Sequence, residues 1–351
     1  MMNCELRIVY MGTPDFAIEP LRQLLDNGYN VVGVITMPDK AIGRHHDTLQ
    51  PSPVKKFYLE QHLDERGIAL LQPEKLKDDQ FLEQLRALQA DLQIVVAFRM
   101  LPEVVWAMPP KGTFNLHTAL LPQYRGAAPM NWAIINGDKE TGVTTFFLDH
   151  DIDTGRIIMQ SRTPIHETDN VEDIHDRLMV MGAELVLKTV RAIEDGTAES
   201  IPQDQFMTEE PLRHAPKIFK ETCQIDWKQS AEKVYNFVRG LSPYPAAWST
   251  LVTADGKRQD VKVFKCQRAD GSTSQRTDGS TGQRADESSS APIQNGAQPV
   301  GTVLADGKSL KVRVEDGYIM IDELQVAGKK RMAVADFLRG AHLSEGARFE
   351  C

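Results

Sequence analysis

The first forty residues constrain the fold most. Leu6-Arg-Ile-Val-Tyr10 is an apolar run of strand length, and Met11-Gly12-Thr13-Pro14-Asp15-Phe16 turns the chain into a helix with Leu21, Leu24 and Leu25 on one face. Asn27-Gly28 ends that helix, and Val31–Thr36 is a second apolar strand. A strand, an amphipathic helix and a strand in this order predict an α/β domain with a Rossmann-like, mostly parallel sheet. They do not predict a dinucleotide. Gly12 stands alone where a G-x-G-x-x-G turn would be needed for close approach to a pyrophosphate, which argues against NAD.

The pattern continues in the same register. A helix runs from Pro53 to about Arg66, Ile68–Leu71 is a short strand, Asp78–Gln89 is a helix, and Leu92–Ala97 is a buried central strand. Thr113–Leu116, Thr141–Leu148 and Ile157–Ile165 read as further strands, and Pro129 opens a helix through Trp132 and Ile135. Val171–Glu194 is a long helix burying Leu178, Leu185, Val186 and Val190, a core stripe rather than a binding face. Gly196 closes it, which sets the first domain at 1–196. The polar, Pro-containing stretch 197–216 reads as a linker.

Past the linker the pattern changes to one helix, Ser230–Arg239, followed by short strands at Trp248–Thr253, Val261–Cys266, Gly301–Leu304, Leu310–Val314 and Tyr318–Leu324. Short strands in a domain of this size, 217–351, predict a smaller OB-like β-barrel, an architecture suited to nucleic acid. Three imperfect octads beginning at Gln267, Gln275 and Gln283 have no apolar face to bury, so 267–299 reads as a disordered, low-complexity insertion between barrel strands.

The net charge of −9 is unevenly spread: Lys+Arg against Asp+Glu is 19 to 32 over residues 1–210 and 21 to 17 over 211–351. The C-terminal part is therefore the better candidate for holding a polyanion. No apolar run reaches the roughly 18 to 20 residues of a membrane span, and the chain enters its first strand without a cationic leader, so a cytoplasmic protein is expected. Cys4, Cys223, Cys266 and Cys351 are scattered without metal spacing, which predicts reduced thiols. His45-His46 lacks a third ligand, and no metal site is expected.

The chemistry concentrates in Asn115-Leu-His117-Thr-Ala-Leu-Leu-Pro122-Gln-Tyr-Arg125-Gly126-Ala-Ala-Pro129 and in Asp151-Ile-Asp153-Thr-Gly155. Strand alternation puts Asn115 and His117 on one face, with an irregular loop following at the strand end. Asp153 follows a neighbouring strand. An amide that can hydrogen-bond an oxyanion, an imidazole that can donate or relay a proton, and a carboxylate that can hold and charge the imidazole make a site for acyl transfer to an amine. For each residue taken alone a structural hydrogen bond or a turn is the commoner explanation, and it is the combination that points to this chemistry.

These words, with Leu120-Leu-Pro122, Tyr124-Arg-Gly-Ala-Ala-Pro129, Asp153-Thr-Gly155, Arg239-Gly-Leu-Ser-Pro-Tyr-Pro-Ala-Ala-Trp248 and Ala327-Gly-Lys-Lys330, resemble the folate-dependent formyltransferases, most closely the branch acting on methionyl-tRNA. The resemblance covers nearly the whole chain. It implies Asn115, His117 and Asp153 as catalytic residues, and a folate site at Ala119, Leu120, Leu121 and Pro122 with Phe98, Met100, Leu101 and Asp151. It also implies a loop around Lys40 and Arg44 that contacts the acceptor end of tRNA, with Lys329, Lys330 and Arg331 on its phosphates. The implied reaction moves the formyl group of 10-formyltetrahydrofolate to the methionine amine of initiator methionyl-tRNA, catalysed by a monomer. The chain departs from the family at Ala119, where Ser is commoner, at Arg99, and at His45-His46-Asp47, where lysines often stand. Other readings of the triad are a formyltransferase for an amino sugar or nucleotide, a hydrolase, or an RNA-binding module on an inert scaffold.

Overall fold

The strands Arg7–Gly12, Asn30–Ile35, Ala69–Leu71, Leu92–Val96 and Thr113–His117 pair in parallel, and Glu140–Phe147 and Ile157–Pro164 extend the same seven-stranded sheet antiparallel. These observations come from a computed structural model that describes residues 6–42, 48–269, 298–341, 343 and 345–350. From Arg7–Gly12 the chain goes to Asn30–Ile35 on one side, while Leu92–Val96 on the other leads on to Thr113–His117. The sheet thus switches direction between Arg7–Gly12 and Leu92–Val96, and the carboxyl ends Gly12, Val96 and His117 share the edge where open α/β sheets bind ligands.

Apolar alternation explains which face is closed. Leu116 and Thr145 are cross-strand partners. Their side is covered by the helix Val171–Glu194, where Gly182 leaves no room for a Cβ against Leu116 and the Thr189 hydroxyl meets that of Thr145 at 2.8 Å. A capping box starts this helix: the Asn170 side chain accepts from the Glu172 and Asp173 N–H groups, and Asp173 accepts from the Asn170 N–H. Asn115 and His117 face the other way, opposite Phe146 and Thr144.

Two expectations change here. The helix from Pro53 stops at Glu60, because His62 takes φ 49° and the Leu63 N–H donates back to the Tyr58 carbonyl, which buries Leu63 completely. Residues 197–216 do not bridge open space. Ile201 exchanges two 2.8 Å backbone bonds with Ile157, Gln203–Phe206 forms a 3-10 turn, and His214–Ala215 pairs in parallel with Arg125–Gly126.

The chain divides into two units, residues 1–133 with 138–217, and residues 134–137 with 218–351. The second unit contains a seven-stranded antiparallel sheet. Its first and last strands, Val303–Ala305 and Arg348–Phe349, meet through Val303 N–H to Ala347 O and Phe349 N–H to Gly301 O, making a nearly closed barrel. The strand Arg258–Ala269 pairs through Gln267, Arg268 and Ala269 with Met320, Ile319 and Tyr318. The first residues of the expected insertion therefore belong to the barrel, and 270–297 lie outside the described residues. Cys223 and Cys266 are buried free thiols, and burial pushes the Cys266 thiol far above its ordinary range.

Trp227 is the largest fully buried side chain of this barrel, stacked near Phe349 at 5.2 Å with its indole N–H donating to Ser249. Trp227→Ala should cost about 3–5 kcal/mol, from lost apolar burial, the cavity and the lost hydrogen bond to Ser249. Urea unfolding of the full chain measures this, and a loss below about 1 kcal/mol would contradict the assignment of Trp227 to the barrel core.

Candidate active site

The strand Thr113–His117 ends with His117 only 6% exposed, edge-on to the Phe146 ring at 6.4 Å. Its Nε2 lies 2.9 Å from the Tyr124 carbonyl oxygen. A carbonyl only accepts, so Nε2 carries the proton and donates. The other nitrogen, Nδ1, faces Asp153 Oδ2 at 3.9 Å. Burial lowers the pKa of His117 and outweighs the opposing effects of the Asp153 carboxylate and the Tyr124 bond. Burial thus works against the expected charge on the imidazole and favours the neutral ring, with its Nδ1 lone pair turned toward the Asp153 carboxylate.

Asp153 sits at φ 55° in the turn between Glu140–Phe147 and Ile157–Pro164, a left-handed conformation that Asp tolerates better than most residues. Its Oδ2 accepts from the Gly126 N–H at 2.9 Å. Gly126 has φ 128° and lies against the Ala215 carbonyl, where a Cβ would come within 2.4 Å, so only glycine can supply that N–H here. Asn115 is half-buried, and its amide has no hydrogen-bond partner among the described residues.

The segment after His117 folds over the same face. Ala119 is fully buried, and its carbonyl accepts from the Thr144 hydroxyl at 2.6 Å. That carbonyl is therefore already engaged within the protein. The Leu121 N–H donates to Thr144 Oγ1, and the Leu121 carbonyl accepts from Gln160 at 2.8 Å. The Leu121 side chain packs in a small cluster with Phe146 and Ile157. Leu120 is half-buried and Pro122 is buried on the same loop.

Among the other expected folate residues, Phe98 is half-buried, Met100 is 74% exposed, and Asp151 is exposed. Leu101 is buried in the core with Val95 and Val105, so its side chain is not offered to solvent. Arg99 has a local structural use: its guanidinium donates to the Pro73 and Glu74 carbonyls, tying the 98–102 turn to the neighbouring loop.

Arg44 lies outside the described residues, whereas Lys40 is exposed at the start of the hairpin strand Lys40–Ile42. The base of that hairpin is held by Asp39, which bonds Gln72 at 2.9 Å and Lys55 at 2.6 Å and is thereby more acidic than an ordinary Asp. In the barrel, Lys329 and Lys330 are exposed, while Arg331 pairs with Glu323 at 2.6 Å and lies over the Phe264 ring. Among the described residues no group of three or more His, Cys, Asp or Glu could hold a metal, and no helix is long and apolar enough to cross a membrane.

Sequence reading gave no role to Tyr124, Thr144, Gln160 and Gln203, which hold the site through hydrogen bonds. Thr144 and Gln160 are polar positions inside strands, a signal visible in the sequence but without a partner to interpret it. Gln203 lay in the segment taken for a linker.

Comparison with known proteins agrees with this architecture. Residues 6–190 match the formyl transferase family and residues 217–342 its C-terminal domain. The chain is 57% identical over 342 residues to the methionyl-tRNA formyltransferase of Parabacteroides distasonis, covering 97% of each chain. It is 57% identical over 348 residues to that of Bacteroides thetaiotaomicron, covering 99% of each. Among solved structures it is similar to WlaRD, a sugar 3N-formyl transferase crystallised with dTDP and 5-N-formyl-THF, with TM-score 0.58 and 19% identity over 93% of this chain and 99% of that one. It is also similar to HypX from Aquifex aeolicus in complex with tetrahydrofolic acid, with TM-score 0.57 and 17% identity over 95% of this chain and 47% of that one. A triad-bearing α/β unit and a barrel that match this family in turn leave one assignment: the chain belongs to the formyl transferase family.

Proposed function

We propose that this chain transfers the formyl group of 10-formyltetrahydrofolate to the free amino group of methionine on initiator methionyl-tRNA, as a cytoplasmic monomer. The observation that carries the mechanism is the placement of the buried His117 ring, with Nε2–H donating to the Tyr124 carbonyl and Nδ1 turned toward Asp153. The shared identity with full-length relatives supports the tRNA substrate, as do the exposed Lys329 and Lys330 on the barrel.

The methionine amine attacks the formyl carbon, and the carbonyl oxygen becomes an oxyanion that the Asn115 amide stabilises by donating a hydrogen bond. The nitrogen that has formed the new C–N bond is now cationic and gives its proton to His117 Nδ1. The imidazolium so formed is stabilised by Asp153. Collapse of the oxyanion breaks the bond from the formyl carbon to N10 of the folate, and the proton returns from Nδ1 to N10. Electrons and protons balance without a metal. In this reading Ala119–Pro122, Phe98, Met100, the Leu101 backbone and Asp151 border the folate. Lys40 and Arg44 meet the acceptor end of the tRNA.

Purified protein given 10-formyltetrahydrofolate and charged initiator tRNA should produce formylmethionyl-tRNA. Formylation of an amino-sugar nucleotide with none of the tRNA would overturn the proposal. Asn115→Ala and His117→Ala should each lower kcat by about 10²–10³-fold with folding and folate binding retained, because each removes a group used only as charge moves. Near-normal turnover in either folded variant would contradict this mechanism.

The pH profile carries its own sign. Burial puts the His117 pKa below the ordinary imidazole value of about 6.5, and as pH falls through that lowered value Nδ1 is protonated and can no longer accept. The acid limb of kcat at saturating substrate should therefore lie below pH ~6.5. In Asp153→Asn it should move further toward acid, since the carboxylate that raises the pKa is gone. A limb displaced upward in that variant would show that another group titrates.

Replacing Lys329 and Lys330 together by Ala should weaken tRNA binding and flatten its salt dependence, by about one unit of log–log slope or less per lost contact. An unchanged slope in filter-binding titrations would remove these lysines from the interface.

A further inference from the structure

We propose that Gln203 is a positioning residue for the Asp153 carboxylate, acting by locking the two loops that present it; this rests on the role given to Asp153 above. Gln203 is 4% exposed and has a full set of partners. Its Nε2 donates to the Asp153 carbonyl and the Gly155 carbonyl, both at 2.8 Å. Its Oε1 accepts from Arg125 Nε at 3.0 Å and from the terminal guanidinium nitrogen at 2.6 Å. Carbonyls only accept and a guanidinium only donates, so the amide has one possible orientation and no choice of flip. Neither a carboxylate nor a thioether of this length can make both sets of bonds.

The two ends of this amide grip the two sides of one interaction. On one side is the backbone of the residue that carries the carboxylate, in a left-handed conformation that free chain seldom adopts. On the other is Arg125, next in sequence to Gly126, whose N–H donates to Asp153 Oδ2. A single buried side chain thus links the loop that carries Asp153 to the Arg125 side chain beside the N–H that its carboxylate accepts from. Gln203 is itself fixed. Ile201 is bonded to Ile157 in both directions, Arg156 donates to the Ser200 carbonyl and hydroxyl, and Phe206 packs against the Leu121, Phe146 and Ile157 cluster. Gly155, where a Cβ would fall 1.7 Å from the Phe147 carbonyl, keeps the turn tight against the strand.

A reacting group displaced by about 1 Å costs on the order of 10²-fold in rate, while binding contacts elsewhere are untouched. Gln203→Met should therefore lower kcat about 10- to 100-fold with KM for the formyl donor and for methionyl-tRNA changed by less than about threefold. Gln203→Glu keeps the acceptor for Arg125 but sets a carboxylate against two carbonyls, and should show the same split. The deciding experiment is a double-mutant cycle on kcat in the full-length protein. If Gln203 works through Asp153, adding Gln203→Met to Asp153→Asn should cost less than about threefold more. An equal cost in both backgrounds, a loss confined to KM, or failure of both Gln203 variants to fold would overturn the positioning role. Full activity of Asp153→Asn alone would instead remove the catalytic role of Asp153, a separate and distinguishable result.

Discussion

A single backbone N–H, that of Gly126, donates to the carboxylate of Asp153, and the rest of the site is built to keep that bond in place. Because the carboxylate oxygen that accepts it also faces His117 Nδ1, the position of Gly126 sets the field felt by the imidazole. The glycine cannot be exchanged, since its φ of 128° and the nearby Ala215 carbonyl leave no space for a side chain. The residues following the long helix supply that carbonyl, so a segment far along the chain shapes the loop that follows the Thr113–His117 strand.

The electrostatics follow from burial rather than from the ion pair. A half-buried carboxylate 3.9 Å away would favour an imidazolium, but removing the ring from water disfavours its charge more strongly. The Tyr124 carbonyl then decides which nitrogen keeps the proton. The result is a base whose lone pair already points to the carboxylate that will stabilise it once protonated. Little reorganisation is needed when charge develops, which is the sense in which such a site is preorganised.

Much of this was legible in the sequence. The strand and helix alternation around Gly12 and Leu92–Val96 gave the parallel sheet, and Asn115 and His117 at a spacing of two had to share a face. The short strands after residue 240 announced a barrel. What could not be read was pairwise. Nothing local shows that Gln203 reaches Asp153 and Gly155, fifty and forty-eight positions away, because a polar segment with prolines looks the same whether it spans solvent or lines a site. The balance of burial against the carboxylate at His117 was hidden for a related reason: a sequence shows the carboxylate but not the depth of burial. The early end of the helix at Glu60 likewise depended on Leu63 finding a place in the core.

The state of the His117 ring is the claim on which the chemistry rests, and side-chain ¹H–¹⁵N NMR of the full-length protein, assigned with a His117→Gln variant, reads it directly. At neutral pH the ring should be uncharged, with its proton on Nε2 and Nδ1 showing the shift of an unprotonated nitrogen, and it should titrate below the ordinary imidazole value. A proton on Nδ1 at neutral pH, or titration above that value, would contradict the account.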